Sequence, residues 1–445
     1  MPLAGIRFYD VRSVRATATH VDIDNGVVES AGTSFSDAAL VRVLGPKGWG
    51  MVSVNHLDLS SGKVPEGILS EGLALARITE DPVELAGPPR GEHPVPAPDE
   101  DPRVLSLDEK TRVLSGIEKA ARLPGIASSR ATYIERTEEV FYTDSSGYEH
   151  RSTVTRSGFS VLAVARKNGL AQMGRESLHT IHGFNLRHQE HMGTKAGETA
   201  LALLDAGTAK GGRMRAVLDP ELAGVFAHEA VGHASEGDLV KEGSSVLGGR
   251  IGERIGPPIL TIVDDPSLPE FGFEPADAEG CRTERTEIIS GGRVNAYLHS
   301  RETLAALGNG LAGHARAEAG EAPIVRMSNT FIEAGDATTE EILSECREGI
   351  LLVGSRGGQV DPGRGVFQFN AEYGYLIEKG ERAGMVRDVS LSGEILSTLH
   401  GILLVGNERV MHQGFCGKGG QSVPVSDGSP HLLLSDAVVG GSGAD

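Results

Sequence analysis

A chain of 445 residues is long for one compact core and comfortable for two. Its 39% hydrophobic content fits a folded globule, and no run approaches the ~20 continuous apolar residues of a membrane span. The net charge of −19 argues against a nucleic-acid surface, which needs clustered Lys and Arg.

The opening residues, MPLAGIRFYDVRS, show no basic segment followed by an apolar one, so no secretory signal is expected. Cys281, Cys346 and Cys416 are too few and too scattered for a disulfide framework, which predicts a reducing, cytoplasmic setting.

Along the chain, the proline-rich residues 88–98 read as an extended surface connection. Ser106 heads a predicted helix with Glu109 as capping-box partner, and Val113, Leu114, Ile117 and Ala121 follow at helical spacing. Residues 127–166 alternate apolar and polar, and Asp144-Ser145-Ser146-Gly147 supplies a turn, so an antiparallel meander is expected. An Ala- and Leu-rich helix over 198–204 closes the first half.

Gly207 and the Lys210-Gly211-Gly212 run place the boundary between domains 1–207 and 208–445. The second half opens with a short strand, 214–218. A helix over 220–236 follows, with Asp219 as N-cap, Pro220 at the first helical position and Gly237 as its stop. Beyond it lie short β-type runs separated by Gly pairs. One further strong helix is expected, opened by Thr338 with Glu341 and closed by Gly349. Phe367 and Phe369, at alternate positions, read as the inward face of a strand.

His228-Glu229-Ala230-Val231-Gly232-His233 resembles a helix-borne zinc site, but its histidines stand five residues apart rather than four. On a regular α-helix five residues advance about 500°, leaving the two rings roughly 140° apart, too divergent to share a metal. A π-type turn would realign them, and Gly232 lowers the cost of that distortion. A widened turn between His228 and His233 is therefore predicted.

Zinc needs a third protein ligand and an open position. Cys416, flanked by glycines and near Lys418, ranks first, with Lys418 expected to favour its thiolate. Glu236 and Asp238 are rival carboxylate ligands. His179, His182, His188 and His191, with Glu190, crowd the end of the first half. His188-Gln189-Glu190-His191 falls one residue short of the inverted zinc motif, so a polar surface or domain-contact role is expected for this group.

Taken together, several segments resemble the TldD/PmbA family of zinc peptidases and their inactive partner subunits. They are the His228–His233 hexapeptide with Ser235-Glu236-Gly237-Asp238, and Arg326-Met327-Ser328-Asn329-Thr330. Gly357-Gly358-Gln359-Val360-Asp361, Gly365-Val366-Phe367-Gln368-Phe369, Gly374-Tyr375-Leu376-Ile377-Glu378 and Cys416-Gly417-Lys418-Gly419-Gly420-Gln421 complete the set.

The resemblance implies an α+β fold. It would have an N-terminal α+β domain with an antiparallel sheet, and a mostly-β C-terminal domain whose curled, barrel-like sheet carries the metal-binding helix. It further implies action on unfolded peptides inside a paired assembly, either a homodimer or a heterodimer with a PmbA-type subunit. PmbA-type partners lack the metal motif, whereas this chain keeps His228, Glu229, His233 and Cys416 and so resembles the active TldD type. Its N-terminal segment lacks the long opening helix expected of the family.

On this reading Zn2+ is held by His228, His233 and Cys416, and Glu229 is the general base of peptide hydrolysis. Two alternatives remain. One is a deformylase-like zinc amidase, and the other is a non-catalytic partner subunit in which zinc is structural or absent.

Overall fold

The computed structural model describes residues 4–59 and 63–441. The first half is organised by one six-stranded antiparallel sheet. Its strands are β1 (Phe8–Asp24), β2 (Val27–Leu44), β3 (Trp49–Asn55), β4 (Ile126–Asp144), β5 (Glu149–Lys167) and β6 (Leu170–Thr180), in the order β3-β2-β1-β4-β5-β6.

The predicted meander over 127–166 is therefore two strands, β4 and β5, of a wider sheet, and the turn at 144–147 joins them. Asn25-Gly26 and Asn168-Gly169, with positive φ at all four residues, form the tight primed turns that match strand twist. Three helices accompany the sheet: α1 (Glu66–Ala76), α2 (Leu107–Ala121) and α3 (Glu190–Asp205).

Leu114, Ile117 and Ala121 of α2 pack with Ala196 and Ala200 of α3 over Val21, Ala131, Tyr133, Phe159 and Val161 of the strands. Helix α3 begins eight residues before the expected 198. The Ser106 hydroxyl caps α2 by accepting from the Glu109 amide at 3.2 Å, but the capping box stays half-formed. The Glu109 carboxylate turns instead to Arg187, 2.8 Å away.

In the second half the structure is mostly sheet. One ten-stranded mixed sheet runs from an edge at Gly358–Asp361 through Leu432–Gly440, Gly212–Leu218 and Gly349–Val353 to an edge at Gly207–Thr208. Those two edges do not pair with each other, so among the described residues the sheet is open and the expected barrel-like closure is not seen.

A second sheet orders Arg293–Val294, Thr286–Ser290, Ile262–Asp264, Asn329–Ile332, Gln421–Ser429 and Val410–Lys418. Between the sheets lies the segment opened by Asp219, whose side chain accepts from the Leu222 amide at 2.9 Å. Its Leu222, Ala223, Phe226, Ala227, Ala230, Val231 and Ala234 are fully buried in the main core of this half. Phe367 and Phe369 stack in that core with ring centroids 4.9 Å apart.

The Thr338–Glu341 capping box forms in full, and its helix spans Thr339–Cys346. Arg347, at positive φ, ends it, and Gly349 already belongs to the next strand. Arg301–Leu307 and Ile395–His400 are further helices that sequence reading left out, both too short to show a periodic stripe. Of the glycine-rich tail, Gly440 ends the last strand, while Ser442 and Gly443 lie outside the described residues.

Residues 88–98 form no helix or strand, as their prolines dictate, yet they are tied down. The Arg282 amide donates to Pro89 O and the His93 amide to Pro275 O, both at 2.8 Å. Arg156 crosses between the halves in the same way, donating from Nε to Phe271 O at 3.0 Å.

Candidate metal centre

The segment that starts as the α-helix α4 (Pro220–Phe226) does not continue as one. Over Ala227–Gly232 it widens into a π-turn, then tightens to a 3-10 turn over His233–Ser235. The i,i+5 spacing of the two histidines is thus matched by an i→i+5 backbone repeat, and the rings lie with centroids 5.4 Å apart. Gly232 sits where the turn meets Asn329–Ile332's neighbour Met327, whose Cγ would stand 2.9 Å from an added Cβ.

Cys416 arrives from 183 residues further on, on the edge strand Val410–Lys418, and its Sγ lies 3.6 Å from His233 Nε2. One donor atom from each of His228, His233 and Cys416 lies within 4.8 Å of the other two, and all three residues are buried. The set suits a metal ion. Two imidazoles and a thiol converge from buried residues, and buried His228 Nδ1 has no hydrogen-bond partner.

Electrostatics support the same chemistry. Burial pushes the Cys416 thiol up, but the facing His228 and His233 imidazoles outweigh it and bring its pKa down to about 4. The histidines respond in the opposite sense. Burial lowers both, and their partners raise them overall, Cys416 acting on His228 and Glu236 with Cys416 on His233. A buried thiol drawn toward its anionic form between two imidazoles is a place where a cation can take over the role of the protons.

Glu229 lies at the mouth, its Oε2 3.7 Å from His233 Nε2 and its side chain 32% exposed. The two rival carboxylates stand behind the donor triangle. Glu236 is fully buried and holds His233 Nδ1 at 3.0 Å, which leaves Nε2 to face Cys416. Asp238 takes the Lys418 ammonium on both oxygens, each at 2.8 Å. The same ammonium lies 3.1 Å from Glu236. Lys418 is thus committed to these two carboxylates, and the groups that draw the Cys416 thiol down are the imidazoles.

His228 and Glu229 open onto a cavity of about 640 Å³ walled by both halves of the chain. His412, Gln413, Gly414 and Phe415 of the edge strand form one side, and Asp219, Glu221, Glu372 and Asp427 make another side acidic. Burial raises all four carboxyls, and neighbouring carboxylates add to it at Glu221, which reaches about 8, and at Glu372, which reaches about 7. No sequence pattern marks this wall, because its members come from three separate segments.

The crowded histidines of the first half make no donor group. The His179 ring packs 5.2 Å from Phe271, and His182 Nε2 lies 2.8 Å from Pro269 O, so both contact the second half. His191 turns back to His188 O at 3.3 Å.

Comparison with known proteins agrees with this architecture. Three models of the PmbA/TldA metallopeptidase family match: domain 1 over residues 9–76, the central domain over 100–204 and the C-terminal domain over 211–441. A metalloprotease of Archaeoglobus fulgidus is 40% identical over 98% of this chain and 100% of its own length. A zinc metalloprotease TldD homolog of Saccharolobus solfataricus is 32% identical over 71% of this chain and 72% of its own.

The crystal structure of TldE from Thermococcus kodakarensis superposes with a TM-score of 0.80 at 18% identity, covering 98% of this chain and 97% of that one, a likeness of fold. The class is thus a metallopeptidase-type chain of mixed α/β build, mostly sheet. It belongs to the TldD/PmbA family. Among the described residues no helix is long and apolar enough to cross a membrane.

Proposed function

We propose that this chain is a zinc-dependent peptidase of the active TldD type, with His228, His233 and Cys416 as metal ligands and Glu229 as general base. The observation that carries the reading is the meeting of three donors from two distant segments, each within 4.8 Å of the others, beside a carboxylate that opens onto a cavity.

A zinc ion there would supply Lewis acidity, acidifying a water and polarising a peptide carbonyl. Glu229, at the mouth beside His233, would accept a proton from the attacking water and return it to the leaving amine. Glu236 keeps the His233 tautomer that presents Nε2. Val410–Lys418 is an edge strand whose residues 412–415 line the cavity, so an extended, unfolded peptide can add to it through backbone hydrogen bonds with little demand on side chains.

The reading also includes a cytoplasmic setting, a division at 207/208 and a paired assembly, either a homodimer or a heterodimer with a PmbA-type subunit. The main hydrophobic clusters of the two halves are separate, which favours that division, and a small one, Val154 and Ile181 with Phe273, bridges them.

The test is Glu229→Gln. Zinc content should stay at the wild-type level by metal analysis, while cleavage of a disordered peptide falls by at least about 100-fold. Full cleavage by this variant would remove Glu229 from its role. Wild-type protein that binds no zinc, or that hydrolyses only small formyl or acyl amides, would overturn the peptidase reading.

A further inference from the structure

Arg326 is completely buried, yet among the described residues no carboxylate pairs with it. Its guanidinium donates to backbone carbonyls, one amino group to Cys416 O and the other to Gln421 O at 3.4 Å, while Nε has no partner. These two carbonyls lie on opposite legs of the hairpin formed by Val410–Lys418 and Gln421–Ser429, whose turn consists of Gly419 and Gly420 at positive φ. A two-glycine turn stiffens the hairpin little by itself. The planar fork of arginine spans both legs at once, which a lysine ammonium on its flexible stem does less well.

The neighbours of Arg326 hold the other half of the donor set. Met327 packs on Gly232 in the π-turn, and Arg316 fixes Met327 O at 2.8 Å. Val325 O accepts from Lys418 at 3.0 Å, and Lys418 in turn pairs with Glu236, the partner of His233. Residues 325–327 therefore lie between the histidine-bearing turn and the cysteine-bearing strand and touch both.

We propose that Arg326 is a positioning residue for the candidate metal centre, clamping the hairpin so that Cys416 presents its sulfur to the same point as His228 and His233. This inference rests on the metal reading above. A purely structural arginine would stabilise the fold without setting the geometry of the sulfur, and the two roles differ in what a bound metal reports.

The full chain is loaded with Co(II), and two quantities are read for the wild type, Arg326→Met and Arg326→Lys. One is affinity, by chelator competition; the other is the thiolate-to-cobalt charge-transfer absorption per bound ion. Arg326→Met should weaken cobalt binding by about 10- to 100-fold and diminish that absorption, as loss of a supporting partner does elsewhere. Arg326→Lys should recover part of both.

A folded Arg326→Met protein with wild-type affinity and spectrum overturns the proposal. So does one that loses thermal stability while its bound-cobalt spectrum is unchanged. If Arg326→Met does not fold, Arg326→Lys decides alone, and a wild-type spectrum there is the refuting result. Wild-type protein that takes up no cobalt defeats the metal reading itself, and this inference with it.

Discussion

The two halves of the chain solve the problem of burial differently. In the first, strands of up to 19 residues run in long antiparallel registers, and the core under α2 and α3 is mostly Leu, Ile, Val, Ala and aromatic rings, its buried charges held in close pairs such as Lys110 with Glu135. In the second, no strand among the described residues exceeds nine residues, and the interior also holds His314, Asp264, Glu236 and Arg326, the last with no carboxylate partner among the described residues. A regular lattice of apolar contacts loses stability in proportion to the atoms removed. A polar interior depends on individual pairings, and one lost partner leaves its neighbour stranded. The site sits in the second kind of interior, backed by the first.

Paired substitutions sharpen that contrast. Leu114→Ala empties a fully buried position between α2 and the sheet and should cost about 3 kcal/mol in urea unfolding. Metal binding should be unchanged, and a loss below about 1 kcal/mol would break the picture of a tightly packed first half.

Asp264→Asn changes almost no volume. Asp264 accepts from the Ser328 amide at 2.9 Å and the Thr330 hydroxyl at 2.8 Å, with His314 Nε2 3.5 Å away. An amide group there turns a donor toward a donor, and about 2 kcal/mol should be lost. Were Asp264→Asn neutral in the same assay, pairing would not be what holds this half.

The last contrast concerns pH and belongs to the cavity wall. Burial, then Glu372, Asp219 and Asp427, raise Glu221 against the lowering effect of the Ser355 backbone, and its carboxyl titrates near 8 instead of 4.5. The folded chain therefore keeps a proton that the unfolded chain surrenders, so stability falls as pH climbs from about 4.5 to about 8. Glu221→Gln should remove that part of the decline. Its gain over wild type should grow steadily towards the alkaline end and be absent below about pH 4.5. Thermal midpoints across that range check it, and parallel curves for the two proteins would show that Glu221 does not titrate as described.

What the sequence made legible follows from local rules. Asp219-Pro220 marks a helix start by capping chemistry alone, and a five-residue histidine spacing cannot coexist with a regular α-turn if the rings are to meet. Asn25-Gly26 and Asn168-Gly169 carried an equally local hairpin signal that went unused, and with it the β1–β2 pair was missed.

Other features could not be read locally. Lys418 chooses Asp238 and Glu236 over the neighbouring thiol because the fold brings a carboxylate from 180 residues away within 2.8 Å. Glu109 leaves its capping box for Arg187 for the same reason, 78 residues distant. Periodicity describes which face a residue takes, not which stranger it will meet there.

The strap at residues 88–98 has one more consequence. It leaves α1 and returns to α2, both in the first half, yet Pro89 and His93 are hydrogen-bonded to the second. Its Arg90 also reaches across, donating to Gly280 O at 3.2 Å and pairing with Asp144. A protease nick near Val95 would sever the polypeptide without freeing either piece. The clipped molecule would travel as a single particle through a sizing column and come apart only in denaturant.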